Sequence, residues 1–268
     1  MRVLPLAVVF GLLLPAGAMS QEVTVIAAGS LKAAVTELGA AFERATGVSV
    51  AARFGASGLL RKRIEEGDLP HVFASANMKH PQAIEAAGLS APVILFARNR
   101  LCAIARGDLE VTSETLLDTL LSDDVRVGMS TPKADPSGDC AIALYEKADA
   151  LSPGAFARLD RKAQRLTGGP DSPKPPEDRN TYGWVMESGK ADIFLTYCTN
   201  ALLARAEVPS LKIVKVPEPM AVGADYGLTV LNNAPEAAWR FAAWMLSPSG
   251  QEILADFGFT AIALPEED

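Results

Sequence analysis

The sequence is poor in the side chains that most exported enzymes and metal proteins depend on. It has only two histidines, His71 and His80, and three cysteines, none in Cys-x-x-Cys spacing. That leaves too few imidazoles and thiolates for a zinc centre of the usual kind. It also leaves no Gly-x-Ser-x-Gly elbow with triad partners, as a serine hydrolase would carry. Positive charge is scarce as well: 25 Lys and Arg stand against 32 Asp and Glu, a net charge of −7. Such a surface argues against nucleic acid or an anionic membrane as partner. A small anionic ligand is still allowed, because charges beyond a Debye length of about 8 Å are screened. No uninterrupted apolar run approaches the roughly 20 residues that cross a bilayer.

The start of the chain reads as an export signal over residues 1–20. Arg2 supplies the positive end, residues 4–14 an apolar stretch, and residues 16–20 (AGAMS) a small-residue cleavage region. The mature chain is expected to begin near Gln21, free in a bacterial periplasm. In that oxidising compartment three cysteines permit one disulfide and leave an odd thiol.

Residues 23–28 (VTVIAA) form a β-branched apolar run, as a strand buried on both faces does. Leu31, Val35, Leu38 and Phe42 then follow at helical spacing, and Gly47 stops the helix. The pattern repeats with a strand over 48–54, a helix from Leu59 to Gly67, a strand over 72–74 and a helix over 81–87. After a long extended stretch (93–97 and 101–105), a second α/β unit reads as a strand over 125–129, a loop over 130–138, and helices over 141–148 and 156–166. A polar, proline-rich segment over 168–179 precedes a helix over 182–188 and a strand over 192–197. Strands over 211–216 and 226–231 are expected to return to the first unit, with closing helices over 236–246 and 251–257. Trp239, Phe241, Trp244 and Met245 read as core packing.

This order implies an α/β protein of two lobes, each a mostly parallel sheet wrapped by helices, joined by two crossovers. Lobe 1 is expected to take residues 21–98 and 218–268, and lobe 2 residues 99–217. Two Ser/Gly junctions, AAGSL at 27–31 and FGASGL at 54–59, each follow a strand and open a helix. Helix N-termini offer free N–H groups and partial positive charge, and a serine adds a hydroxyl. Ser30 or Ser57 alone reads as an N-cap. Together, at the carboxyl ends of neighbouring strands, they read as an anion grip. His71 and His80 read as surface or helix-start residues, and Asp135, Asp139 and Asp192 as turn and cap residues.

The residues resemble a family, the periplasmic molybdate-binding proteins of bacterial ABC importers. The resemblance rests on AAGSL (27–31), FGASGLLRKRIEEG (54–67), VFASAN (72–77), NRL (99–101), DPSG (135–138), ESGKADIFLTYCTNA (187–201) and FGFTAI (257–262), in order along nearly the whole mature chain. It implies a type II-like binding fold and a tetrahedral oxyanion, molybdate or tungstate, held without cofactor, catalysis or neutralising cation. The implied ligand set is Ser30 and Ser57 through hydroxyl and backbone, the backbone of Ser137 (or Gly138 in its stead), the backbone of Arg179, and the Tyr197 phenol. A site without carboxylate acceptors would exclude protonated anions such as hydrogen phosphate.

The resemblance also implies lobe closure on the ligand and a membrane permease as the partner of a monomer. Arg179 stands where the family has an apolar side chain. Its guanidinium either points to water or pairs with Asp178, or it reaches the cleft and favours an organic carboxylate or chelated metal. With Cys140 and Cys198 both near implied cleft positions, these two are the disulfide pair to consider first. An exported serine hydrolase is the remaining alternative.

Overall fold

The computed structural model describes residues 22–232 and 234–262. The leader expected over residues 1–20 lies outside them. The chain opens as three β-α units: β1 (Glu22–Ala28), α1 (Lys32–Thr46), β2 (Ser49–Gly55), α2 (Ser57–Glu65), β3 (Val72–Ser75) and α3 (Lys79–Ala86). β1 runs parallel to β2 on one side and to β3 on the other. Val25, Ile26 and Ala27 are consequently fully buried, which is why this strand is apolar on both faces. α1 ends at Gly47, whose φ of 74° lets its N–H reach back to the Glu43 carbonyl at 2.8 Å.

The extended stretch that follows is one strand, β4 (Ile94–Ala105), with the short helix α4 (Leu116–Leu121) after it. Its first half pairs antiparallel with β9 (Gly223–Val230), and its second half pairs antiparallel with β7 (Ile193–Tyr197) and β8 (Lys212–Lys215). The partner changes between Arg100 and Leu101, so one strand belongs to both halves of the molecule. With β5 (Val127–Ser130) and β6 (Gln164–Thr167) the sheet runs β2-β1-β3-β9-β4-β7-β5-β6, and β8 pairs with β4. Its two largest apolar clusters lie around Val25, Leu38, Phe42 and Phe241 and around Leu120, Tyr145 and Leu159, with smaller ones around Phe194 and around Phe73. This is a two-lobed mixed α/β fold.

The second half departs from the sequence reading in several places. The loop after β5 is short, because α5 (Pro136–Leu151) starts at a proline that favours the first helical turn and is capped by Asp135. The helix expected over 156–166 stops at Lys162 (α6, Ala155–Lys162). Ala163 turns extended there, and β6 pairs parallel with β5. β8 does not return to the first half, because its register lies against Cys102 to Ala105 of β4. α7 (Thr181–Glu187) matches its pattern, while α8 (Cys198–Glu207) starts directly from β7 without an intervening turn signal. In the closing helices α9 (Glu236–Leu246) and α10 (Pro248–Asp256), Phe241 and Met245 are buried, but Trp239 is 47% exposed.

The disulfide joins Cys102 to Cys198, and Cys140 is the free thiol. Cys102 faces Thr196 in the β4–β7 register, so Cys198, two residues further on, comes within a Cα separation of 4.9 Å. Cys140 is instead on α5, with its sulfur 3.6 Å from the Tyr197 hydroxyl.

Candidate functional site

A cavity of about 40 Å³ lies where the carboxyl ends of β1, β2, β3 and β7 meet the starts of α2 and α8. Its walls include Ser30, Ser57 and Tyr197, together with Asp135, Tyr182 and Asn200. No Lys or Arg is among its lining residues. Enclosed space of this size holds a few waters or one small anion, at roughly 10–15 Å³ per water.

Neither serine caps its helix. Ser57, the first residue of α2, is fully buried, and its hydroxyl oxygen accepts the Ala76 N–H at 3.1 Å. With that acceptor used, the hydroxyl hydrogen is free to point into the cavity. Ser30 sits in the 3-10 turn ahead of α1, its oxygen 2.9 Å from the Tyr226 hydroxyl. The Asn99 amide reaches the same phenol oxygen. Its NH₂ donates to Thr199 Oγ1 at 2.8 Å and to Tyr226 Oη at 3.2 Å. The Tyr226 hydroxyl can thus give its own hydrogen to Ser30, an arrangement that leaves the Ser30 hydrogen for the cavity.

The opposite wall comes from β7, α7 and α8. The Tyr197 hydroxyl donates to the Ala76 carbonyl at 3.2 Å, crossing from β7 to the segment after β3. Burial, more than any neighbour, holds the phenols of Tyr197 and Tyr226 protonated and well above their usual range. Asn200 donates to Thr196 Oγ1 at 3.0 Å, and Tyr182 packs edge-on against Phe194 with ring centroids 5.3 Å apart.

Of the five residues implied by the sequence, the structure brings together Ser30, Ser57 and Tyr197; Ser137 and Arg179 are not among the lining residues. The Ser137 N–H is taken by Asp135 Oδ1 at 3.0 Å, and Gly138 N–H by the Asp135 carbonyl at 2.9 Å. Arg179 faces away. Its guanidinium pairs with Glu187 and, at 2.6 Å, with Glu207, rather than with water or Asp178, and its N–H donates to Pro176 at 3.2 Å. Tyr182, a turn further into α7, reaches the cavity instead.

Asp135, Tyr182 and Asn200 escaped the sequence reading. Asp135 had the only visible signal, as the acid opening DPSG, but the reading stopped at a cap. It does cap α5, and it also lines the cavity. Burial pushes that carboxyl up to about 6, against the pull of the Ser137 N–H and the Ser130 hydroxyl. The expected site free of carboxylates is corrected accordingly.

His80 is buried near the start of α3, with neither ring nitrogen hydrogen-bonded; burial holds it neutral. His71 Nδ1 accepts the Thr24 N–H at 3.1 Å. Among the described residues no cluster of three His, Cys, Asp or Glu could hold a metal ion, and no helix is long and apolar enough to cross a membrane.

A two-lobed α/β fold with a small anion-sized cavity at its strand ends defines a solute-capturing protein. The chain belongs to the bacterial extracellular solute-binding proteins, whose family model matches residues 23–260. It is 35% identical over 236 residues to an uncharacterized protein of Pasteurella multocida (strain Pm70), covering 88% of this chain and 97% of that one. It is 27% identical over 244 residues to the molybdate-binding protein ModA of Mycobacterium tuberculosis (strain H37Rv), covering 90% and 85%. Among solved structures, the periplasmic molybdate-binding protein of Azotobacter vinelandii shares the fold, with a TM-score of 0.71 at 20% identity over 91% of this chain and 100% of that one.

Proposed function

We propose that this protein is the exported, periplasmic solute-binding component of an ABC importer, working as a monomer and capturing molybdate. Tungstate, with the same shape and charge, is the expected competitor. The observation that carries the reading is the cavity itself. It is anion-sized, ringed by the hydroxyls of Ser30 and Ser57, and free of cationic lining side chains. Taking a dianion out of water requires donors converging on all its oxygens. Ser30, Ser57, Tyr182 and Asn200 offer them from both sides of the cleft, joined by Tyr197 once its hydroxyl turns from the Ala76 carbonyl, with the partial positive charge of the α2 and α8 starts behind them.

Ser137 and Arg179, implied by the resemblance, lie outside this group, and their chain neighbours Asp135 and Tyr182 line the cavity in their place. The lobes are residues 21–98 with 218–268, and 99–217, and a membrane permease recognises their closed arrangement. The contact group contains no nucleophile with a base beside it, which favours binding without catalysis. The cavity's size tells against an organic carboxylate or a chelated metal.

Calorimetric titration with molybdate, tungstate, sulfate and phosphate tests the reading. Molybdate and tungstate are expected to bind tightly, and at 100 times the Kd to stabilise the fold by about 2.7 kcal/mol. No heat and no melting shift with either would overturn it.

A further inference from the structure

Resting on that reading and deepening it, we propose that Asp135 determines what the site accepts: the cavity takes its tetrahedral oxyanion together with one proton, held between an anion oxygen and the Asp135 carboxyl. Asp135 lines the same cavity as Ser30 and Ser57, so an anion gripped by the serines lies against it. A carboxylate has only acceptors, and so does a fully ionised oxyanion. Two such groups in one enclosed space repel until a proton lies between them, as two carboxylates sharing a site do.

The carboxyl has no room to withdraw. Oδ1 is held by the Ser137 N–H at 3.0 Å as the cap of α5. On its other side it abuts the backbone of Gly168, where an added Cβ would stand 2.5 Å from Oδ2; the Gly168 φ of +75° keeps that position a glycine. No cation compensates it. Asp139, a turn along α5, repels it. The groups facing it from α7, β7, β9 and α5 are Tyr182, Tyr197, Tyr226 and Cys140, all held neutral by burial. Raised above the usual carboxylate range, Asp135 is the cavity group whose proton comes and goes nearest neutral pH.

The consequence separates oxyanions by where the proton comes from. Hydrogen phosphate brings its own. Molybdate must draw one from solvent, so its affinity falls as pH rises through and above the titration of free Asp135.

Calorimetry of the protein with molybdate, run at about pH 8 in two buffers of different ionisation enthalpy, is expected to report uptake of about one proton per anion. The apparent Kd is expected to rise about tenfold per pH unit between about pH 7 and 9. In Asp135→Asn the amide still caps α5 and donates its own N–H to the anion. This variant is expected to lose both the uptake and the pH slope, and to bind molybdate more tightly than the parent at the top of that range. Molybdate binding without proton uptake in the parent, or an unchanged slope in Asp135→Asn, overturns the role of Asp135 and leaves oxyanion capture standing. Absence of binding by every oxyanion removes the functional reading, and this one with it.

Discussion

The Gly58 N–H donates to the Ala134 carbonyl at 2.9 Å, joining the first turn of α2 to the loop between β5 and α5. The two sides of the cleft meet there backbone to backbone. A Cβ on Gly58 would stand 2.6 Å from the Lys133 carbonyl and 2.8 Å from that of Ala134. The glycine is required for the approach itself.

Gly58→Ala is therefore expected to hold the cleft apart. The lost hydrogen bond and displaced carbonyls should weaken molybdate binding by about 1–3 kcal/mol. Small-angle scattering should show the ligand-saturated variant as more extended than the parent. Equal affinity and an equal envelope would mean that the contact is not used when ligand is held.

The relay from Asn99 through Tyr226 to Ser30 makes a graded prediction. Ser30→Ala removes a hydroxyl at the cavity wall and should cost about 1.5–3 kcal/mol of affinity. Tyr226→Phe leaves that hydroxyl in place and removes only the group that orients it, so the cost should be about 0.5–1.5 kcal/mol. Titrating both variants tests the order; a greater loss in Tyr226→Phe would contradict the relay.

The Cys102–Cys198 bridge spans 96 residues of sequence. Replacing both cysteines by serine should lower unfolding stability by about 2–4 kcal/mol, read by denaturant titration. Burial raises the Cys140 thiol to about 11, so the parent should show one slowly alkylated thiol until it is unfolded.

Asp192 is a buried carboxylate held by Arg126, which donates through Nε at 3.0 Å and Nη2 at 2.7 Å as well as through its backbone N–H at 2.8 Å. These bonds, foremost the side-chain ones, hold Asp192 below its ordinary value. Its stabilising effect is thus complete above the unfolded carboxylate value of about 3.9 and is lost as pH falls through the lower folded value. Asp192→Asn should cost about 1–2 kcal/mol at neutral pH, since the arginine is half exposed, and the difference from the parent should shrink in acid.

The first half of the fold was legible because β1 and β3 are apolar on both faces and each helix closes on glycine. Ser30 and Ser57 could be found from that pattern, since a Ser/Gly junction after a buried strand has few other uses. The second half was harder for identifiable reasons. β6 is short and carries Gln164 and Arg165, so it lacks the apolar signature of a strand. α8 starts with no turn residue after Tyr197. Tyr182 and Asn200 reach the cavity only through the way α7 and α8 pack, which spacing does not report. Cys140 was misread as a bridge partner because nearness to a site says nothing of strand register, and register is what set Cys102 opposite Thr196.

β4 gives the molecule a particular mechanics. It is bonded along its whole length, first to β9 and then to β7 and β8, so it can neither slide nor pivot on a loose joint. Any swing of one lobe against the other is stored as torsion in this strand near Asn99 and Arg100, as in a flexure cut from a single piece of metal. Opening then has a restoring force, and Asn99, which donates to the Tyr226 hydroxyl beside Ser30, stands next to the change of partner.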